Sequence, residues 1–237
     1  MFRWYRNVNF QATQATERNE ILQQFSSARA YIAPNVNAGV LKSNTSEKQI
    51  NVLRLFYLSR IAKVKNLHFA LECLLDLPAF LTIDYTIYGN IEDQAYWQHC
   101  QELIARMPAN IRVTHAGELM FTEVQDKLVA EQVLFLPTLN ENFGHSIVES
   151  LLCGCPVIIS DQTPWNDLEN SSAGFALSLD NKAAFKKAIQ YYAGMDTNEF
   201  TKASVSANNY ISNKIDLEGI KKQYRQLIHE CTENQSE

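Results

Sequence analysis

Two carboxylates, Glu141 and Glu149, stand eight positions apart around a glycine, Gly144. An apolar run at 133–136 precedes them and a helix is predicted after the glycine, so one acid lies in a loop and the other inside the helix. Free N–H groups at a helix start and the helix dipole favour an anion such as a diphosphate. Two acceptors beside such a site suit a sugar nucleotide, which offers sugar hydroxyls and ribose hydroxyls. The residues that would supply backbone or first-turn groups are Asn142, Phe143, Gly144, His145 and Ser146.

Each of these residues also has an ordinary explanation. Glu141 could cap the next helix, although Asp, Asn and Ser are better caps. Glu149 could face solvent, but its helix is otherwise apolar, and burying an acid without partners is costly. His145 is a candidate general base and equally a simple first-turn residue. Cap preference and burial cost therefore favour a functional role for the two acids.

Positive charge follows an earlier predicted strand, at Arg60 and Lys65. A guanidinium fork and an ammonium point charge both suit phosphate oxygens, and they would stabilise charge that develops on a leaving diphosphate. The alternative is a pair of surface cations, and Lys63 competes for the same role. The sequence thus predicts a cationic loop that faces the anion site.

Two further loops follow predicted strands, one at Gly89 and one that runs from Gly117 to Met120. The alternatives are turn glycines and a core methionine. Parallel sheets bind ligands beyond the carboxyl ends of their strands. The loops at Arg60, Gly89, Gly117 and Glu141 are therefore predicted to converge on one edge of a sheet.

The elements behind these loops alternate between strand and helix. Short apolar strands joined by helices predict an α/β fold, a Rossmann-like parallel β-sheet with helices on both faces. The predicted strands are 8–12, 30–33, 52–59, 81–88, 111–114, 133–136 and 157–160. The predicted helices are 17–25, 66–77, 92–106, 121–131, the one after Gly144, 182–194, 197–211 and 217–231.

The run from Glu141 to Glu149, continued to Ser160, resembles the Glu-x7-Glu motif of retaining GT-B glycosyltransferases, especially glycosyltransferase family 4 (group 1). The pair Arg60 and Lys65 resembles the Arg-x4-Lys motif of the same enzymes. The resemblance covers roughly residues 50 to 180. It implies the C-terminal, donor-binding half of a GT-B fold, which transfers a sugar from a UDP- or GDP-linked donor with retained configuration. The catalytic residues that it implies are Glu141, Arg60 and Lys65.

The other site residues follow from the same resemblance. Glu149 matches the acid that binds ribose, while Glu141 matches the acid that contacts the transferred sugar. Gly89 matches a loop near the diphosphate, and Gly117 with Met120 matches the loop that holds the base. No loop carries an Asp-x-Asp pair, so we expect no cofactor and a metal-independent reaction.

Composition excludes several classes of protein. The net charge of −5 with no basic block argues against nucleic acid as a partner. Apolar runs are strand-sized, so no transmembrane segment is expected, and the first residues lack the apolar stretch of a signal peptide. Five scattered cysteines without zinc spacing favour a cytoplasmic location, free or peripheral to the membrane.

The predicted organisation is a remnant of a GT-B N-terminal domain at 1–38, a hinge at 39–50, the donor-binding domain at 51–214 and a C-terminal helix and tail at 215–237. A full first domain would supply the acceptor pocket, so we expect a truncated chain, a fragment or half of a split enzyme.

The alternatives are a non-catalytic nucleotide-sugar-binding module, one subunit of a split glycosyltransferase, or another GT-B activity such as an epimerase. Without a Gly-x-Gly-x-x-Gly run, a dehydrogenase is disfavoured. Expected partners are the donor, a glycan, lipid-linked or other acceptor, and an N-terminal-domain subunit or a second copy.

Overall fold

The computed structural model describes residues 8–12, 15–26, 28–32 and 39–215, together with 219, 222, 224–225 and 227–229. Contacts divide the chain into two compact units. The larger is Gly39–Lys214, and the smaller is drawn from Met1–Ala38 and Ile215–Glu237.

The larger unit is built on a six-stranded parallel sheet in the order β5-β4-β3-β6-β7-β8. Two of the four inner strands, β6 and β7, are buried at every position, as expected for strands covered on both faces. The strands are β3 (Val52–Leu58), β4 (Thr82–Tyr88), β5 (Ile111–Gly117), β6 (Val133–Leu136), β7 (Val157–Ser160) and β8 (Gly174–Leu177). After β5 the chain returns to the other side of β3, which makes the β3/β6 junction the topological switch point.

Two groups of helices flank this sheet. Helix α2 packs against α3 and α6, while α5 packs against α4 and α7. The helices are α2 (Leu67–Leu75), α3 (Gln94–Ile104), α4 (Phe121–Leu128), α5 (His145–Leu152), α6 (Lys182–Gly194) and α7 (Thr197–Lys214), with 3₁₀ turns at Lys63–Lys65 and Glu169–Ser171. The predicted Rossmann-like α/β fold is confirmed.

The smaller unit contains β1 (Asn9–Ala12), α1 (Ala15–Gln24) and β2 (Arg29–Ile32). The two strands pair in parallel, from Asn9 opposite Arg29 to Ala12 opposite Ile32. Residue 33 of the predicted second strand, and most of the helix predicted at 217–231, lie outside the described residues. The described positions within 217–231 are helical.

Several boundaries differ from the predicted ones. Strand β5 continues to Gly117 because it stays paired with β4 after a register shift beside Tyr88. Helix α4 ends at Leu128, and Glu131 is then drawn into the interior, where its carboxylate accepts from the Tyr88 hydroxyl at 2.7 Å. Strand β8 was not predicted, since it is only four residues long and is defined by its pairing with β7.

The segment at 39–50 has no helix or strand, yet it belongs to the larger unit and is bonded to the rest of that unit. Its backbone is tied down where Lys42 N–H donates to the Leu152 carbonyl and Thr45 N–H to the Val129 carbonyl, both at 2.8 Å. The buried Lys48 ammonium donates to three main-chain carbonyls, and burial lowers the pKa of Lys48 to about 8. The hinge at this position stays a prediction. No helix among the described residues is long and apolar enough to cross a membrane.

Candidate functional site

A cavity of about 390 Å³ opens at the carboxyl edge of the sheet, around the switch point. The loops after β3, β4, β5 and β6 and the first turns of α5 surround it. The predicted site residues in its wall are Arg60, Lys65, Gly89, Glu141, His145, Ser146 and Glu149. Residues from four separate loops therefore converge as the sequence predicted.

An ion pair links the two sides of the switch point. The Lys65 Nζ lies 2.5 Å from Glu141 Oε2, and the side chains are only 12% and 17% exposed. Lys65 ends the 3₁₀ turn after β3, and Glu141 lies in the loop after β6. An ammonium and a carboxylate thus stand side by side, each neutralised by the other.

Hydrogen bonds between the two loops hold this pair in register. The Val64 carbonyl accepts from the Leu139 N–H at 2.8 Å and from the Thr138 hydroxyl at 3.0 Å. The buried Asn66 side chain donates to the Pro137 carbonyl at 2.9 Å. These bonds fix the loops to one another before any ligand arrives, which is the preorganisation that charged sites need.

Glu149 faces the same cavity from α5. Its carboxylate makes no hydrogen bond or ion pair with the described part of the chain. Desolvation by burial raises the pKa of Glu149 to about 7. A half-buried acid without a partner destabilises the free protein and gains from any ligand that donates hydroxyl groups to it.

The start of α5 depends on Gly144, whose φ is 82°. A Cβ there would lie 2.8 Å from Ile147 Cδ1 and 3.3 Å from Glu141 Cγ. The glycine turns the chain sharply into the helix, and His145 and Ser146 in the first turn reach the cavity wall. The positive end of the helix dipole therefore points at the cavity.

Gly89 closes the side of the cavity formed by β3 and β4. A Cβ at this position would lie 1.8 Å from the Ser59 carbonyl oxygen, so only glycine fits. The Gly89 N–H donates to the Gly117 carbonyl at 2.8 Å, while the Ser59 N–H donates to the Tyr88 carbonyl at 3.0 Å. Three strand ends are thereby tied together behind the cavity.

Arg60 is engaged by a residue that the sequence did not single out. Its guanidinium contacts Glu92 at 2.6 Å, and both side chains are about half exposed, at 50% and 45%. An exposed pair of this kind contributes about 0–1 kcal/mol, so an anionic ligand can compete for the arginine. Lys63 is exposed and lies 3.9 Å from Asp93, which fits a solvated loop charge.

The remaining predicted residues lie just behind or beside the cavity. Gly117 supports the Gly89 loop through its carbonyl, and Met120, 64% exposed, follows the lining residue Leu119. Asn142, Phe143 and Gly144 form the turn that carries the start of α5. Glu118 and Leu119, which line the cavity, lie within the predicted loop from Gly117 to Met120 but were not singled out. The lining residues that the sequence did not indicate as site residues are Leu58, Ser59, Tyr88 and Asn90. Most of them adjoin a predicted glycine or arginine, and that adjacency was the available signal.

Across the part of the chain that the structure describes, no group of three or more His, Cys, Asp or Glu side chains is arranged to hold a metal ion. The cations at the cavity are Arg60 and Lys65. The site can therefore offer positive charge, a helix dipole and two carboxylates to a ligand that carries both phosphates and hydroxyl groups.

Solved structures share this fold at low sequence identity. HepE from Anabaena, solved with UDP and glucose, is 18% identical with a TM-score of 0.65, over 92% of this chain and 62% of that one. TarM from S. aureus, solved with fondaparinux, alpha-GlcNAc-glycerol and UDP, is 17% identical with a TM-score of 0.67, over 92% and 43%. A glycosyltransferase from Rickettsia africae ESF-5 is 15% identical with a TM-score of 0.69, over 97% and 65%.

The chain spans less than two thirds of the length of each of these structures. No curated protein matches the sequence. The profile of the family described as glycosyl transferases group 1 matches residues 41–196, which include every strand of the larger sheet and the whole cavity. Because that match covers well over half of the sequence, the chain belongs to the glycosyl transferases group 1 family.

Proposed function

We propose that the larger unit binds a nucleoside-diphosphate sugar in the cavity at the β3/β6 junction and is the donor-binding domain of a retaining glycosyltransferase. The observation that carries this proposal is the meeting of the Lys65–Glu141 pair, the unpartnered Glu149 and the start of α5 in one cavity. Ligand pockets commonly measure about 300–1,000 Å³, and this one measures about 390 Å³.

The proposed pose follows the charges along the cavity. The diphosphate lies against Arg60, Lys65 and the first turn of α5, where its charge is opposed by two cations and a helix dipole. Ribose hydroxyls donate to Glu149, and the base extends toward the loop that runs from Gly117 to Met120. The transferred sugar lies at Glu141 on the other side of the diphosphate.

In the proposed reaction, the bond between the anomeric carbon and the diphosphate oxygen breaks, and the oxygen of an acceptor hydroxyl bonds to that carbon on the same face. The proton of the acceptor hydroxyl passes to the departing diphosphate oxygen. Arg60 and Lys65 stabilise the leaving diphosphate as its charge develops. As Lys65 turns to the phosphates, Glu141 loses part of its ion pair and becomes free to accept sugar hydroxyls. Two protein cations can serve here in place of a divalent metal, so we propose a metal-independent reaction that EDTA leaves unchanged.

Uracil is the base that the structural neighbours support. HepE was solved with UDP-glucose, and the pneumococcal O-GlcNAc transferase GtfA was solved with UDP and GlcNAc. Both are below 25% identity, so they share the fold and suggest a first ligand to test. We propose UDP as the nucleotide, with GDP as the alternative.

The domain assignment stays a proposal. In it, 1–38 belongs to the N-terminal domain of a GT-B enzyme, 39–50 is a hinge, 51–214 binds the donor and 215–237 is a C-terminal helix and tail. The acceptor, a glycan or a lipid-linked molecule, binds to another domain or to a separate subunit. The described cysteines 73, 100, 153 and 155 are buried free thiols, which supports a reducing, cytoplasmic setting.

Calorimetric titration of UDP into the parent and Glu149→Ala tests the proposal. Losing the proposed ribose acceptor should weaken binding about tenfold or more, the cost of an unmade hydrogen bond to a charged group. Glu102→Gln removes an exposed acid from α3 and should leave the affinity unchanged. Equal affinity of Glu149→Ala and the parent would remove the ribose assignment, and no binding to the parent would remove the proposed function.

A further inference from the structure

Trp165 lies outside the cavity wall but contacts the loop after β6, which forms part of that wall. Its indole Nε1–H donates to the Phe143 carbonyl at 2.5 Å, and the side chain is 7% exposed. The Phe143 ring packs edge-on against the indole, with centroids 6.2 Å apart, and lies 4.8 Å from the His145 ring. One buried side chain thus fixes both the backbone and the ring of the residue before Gly144.

The segment that carries Trp165 also holds the other end of the loop. The Gln162 carbonyl accepts from the Glu141 N–H at 3.0 Å. Residues 162 and 165 therefore clamp the loop at the sugar-facing acid and at the turn into α5. The position of the acid relative to the start of the helix depends on this clamp.

Trp165 is itself anchored on the side away from the cavity. The Trp165 main-chain N–H donates to the Thr163 hydroxyl at 3.2 Å. The indole packs edge-on against the Tyr210 ring of α7, with ring centroids 6.2 Å apart. The Tyr210 hydroxyl donates to Asp167 at 2.5 Å, and Asp167 pairs with Lys214 at 2.6 Å. A rigid anchor of this kind can transmit a fixed position to the loop.

We propose that Trp165 is a positioning residue for the nucleotide site, acting through the Phe143 carbonyl on the start of α5 and on Glu141. This rests on the proposed function. The geometry assigns its influence to the diphosphate and sugar side of the cavity. The ribose side depends on Glu149, which lies one helical turn further on and has no hydrogen bond or ion pair with residues 162 and 165.

The test compares Trp165→Phe with Tyr85→Phe, a matched control. Each change removes one buried aromatic donor to a phenylalanine main-chain carbonyl, since the Tyr85 hydroxyl donates to Phe135 at 2.9 Å in the sheet core. Dissociation constants are measured for UDP and for uridine. Trp165→Phe should lower the affinity for UDP about tenfold and change the affinity for uridine by less than twofold. Tyr85→Phe should change neither affinity. Unchanged UDP affinity, or equal losses for UDP and uridine, would overturn the proposal.

Amide hydrogen exchange in the free protein provides a second readout that needs no ligand. Trp165→Phe should accelerate exchange across 141–147, and Tyr85→Phe should not. If the parent fails to bind UDP, the proposed function fails, and the clamp is then judged by exchange alone. Unchanged exchange across 141–147 in Trp165→Phe would overturn it.

Discussion

Replacing Glu149 with glutamine should stabilise the free protein at alkaline pH while it weakens nucleotide binding. Burial raises the pKa of this acid from 4.5 to about 7. The native state therefore holds a proton that the unfolded chain has lost between these two values, and the free energy of unfolding falls as pH rises through that window. The glutamine side chain carries no charge at any of these pH values, so the variant lacks this fall.

The structure sets the size of the effect. A shift from 4.5 to about 7 corresponds to an upper limit of about 3 kcal/mol at 1.36 kcal/mol per unit. Because Glu149 is partly exposed at the cavity, solvent screening reduces the expected gain to ~1–2 kcal/mol. The gain should be complete above pH 7 and close to zero near pH 4.5, where the parent carboxyl is itself neutral.

Denaturant unfolding of the parent, Glu149→Gln and Glu102→Gln at pH 5 and pH 8 measures this difference. Glu102 is 79% exposed in its side chain, so its variant should match the stability of the parent at both pH values. UDP titrations on the same samples should show weaker binding by Glu149→Gln at pH 8. In the parent, affinity should decline below pH 7 as the carboxylate takes up a proton. A Glu149→Gln protein that is no more stable than the parent at pH 8 would show that the buried Glu149 carboxylate does not destabilise the free protein.

Three further changes probe the rest of the cavity. Gly89→Ala places a methyl group 1.8 Å from a facing main-chain carbonyl, so thermal unfolding should show a loss of ~3 kcal/mol or more, and wild-type stability would contradict the geometry. Lys65→Met leaves the half-buried Glu141 without its 2.5 Å partner. Lys65→Met should lower the affinity for UDP at least tenfold by calorimetry and destabilise the protein. The double variant Lys65→Met with Glu141→Gln should recover the stability but not the affinity. Glu92→Gln releases Arg60 and should strengthen UDP binding severalfold at low salt and less at 0.5 M salt, and salt-independent affinity would count against competition.

The strand ends were predictable because chemistry and topology agree there. Arg60, Gly89 and Glu141 each follow an apolar strand, and a parallel sheet brings such positions to one edge whatever the details of packing. Glu149 was singled out for a related reason, since its helix is otherwise apolar and an acid is costly to bury there without a partner.

Side-chain pairing could not be predicted from the same patterns. The Arg60–Glu92 and Lys65–Glu141 contacts join residues 32 and 76 positions apart, and only the folded loops set which acid meets which cation. The segment at 39–50 reads as a polar linker, yet the buried Lys48 ammonium donates to the carbonyls of Gln49, Val52 and Ala193, and the last of these lies 145 positions away. Local sequence gives no sign that a lysine will bond to a carbonyl so far away in the chain.

Trp165 illustrates the same limit. Its place after a Thr-Pro pair indicates packing, but the bond to the Phe143 carbonyl depends on how the loops after β6 and β7 meet. A role of this kind becomes visible only once the folded chain brings the donor and the acceptor together.

Thermal unfolding of the chain with UDP, GDP, ADP and CDP shows whether the cavity at the β3/β6 junction binds a nucleotide. UDP at about 100 times its dissociation constant should add about 2.7 kcal/mol to the free energy of unfolding and raise the melting temperature visibly. This shift is expected for UDP with the parent protein and should be lost in a Lys65→Met, Glu149→Ala double variant. No shift with any of the four nucleotides, or an equal shift in the double variant, would contradict a nucleotide site in this cavity.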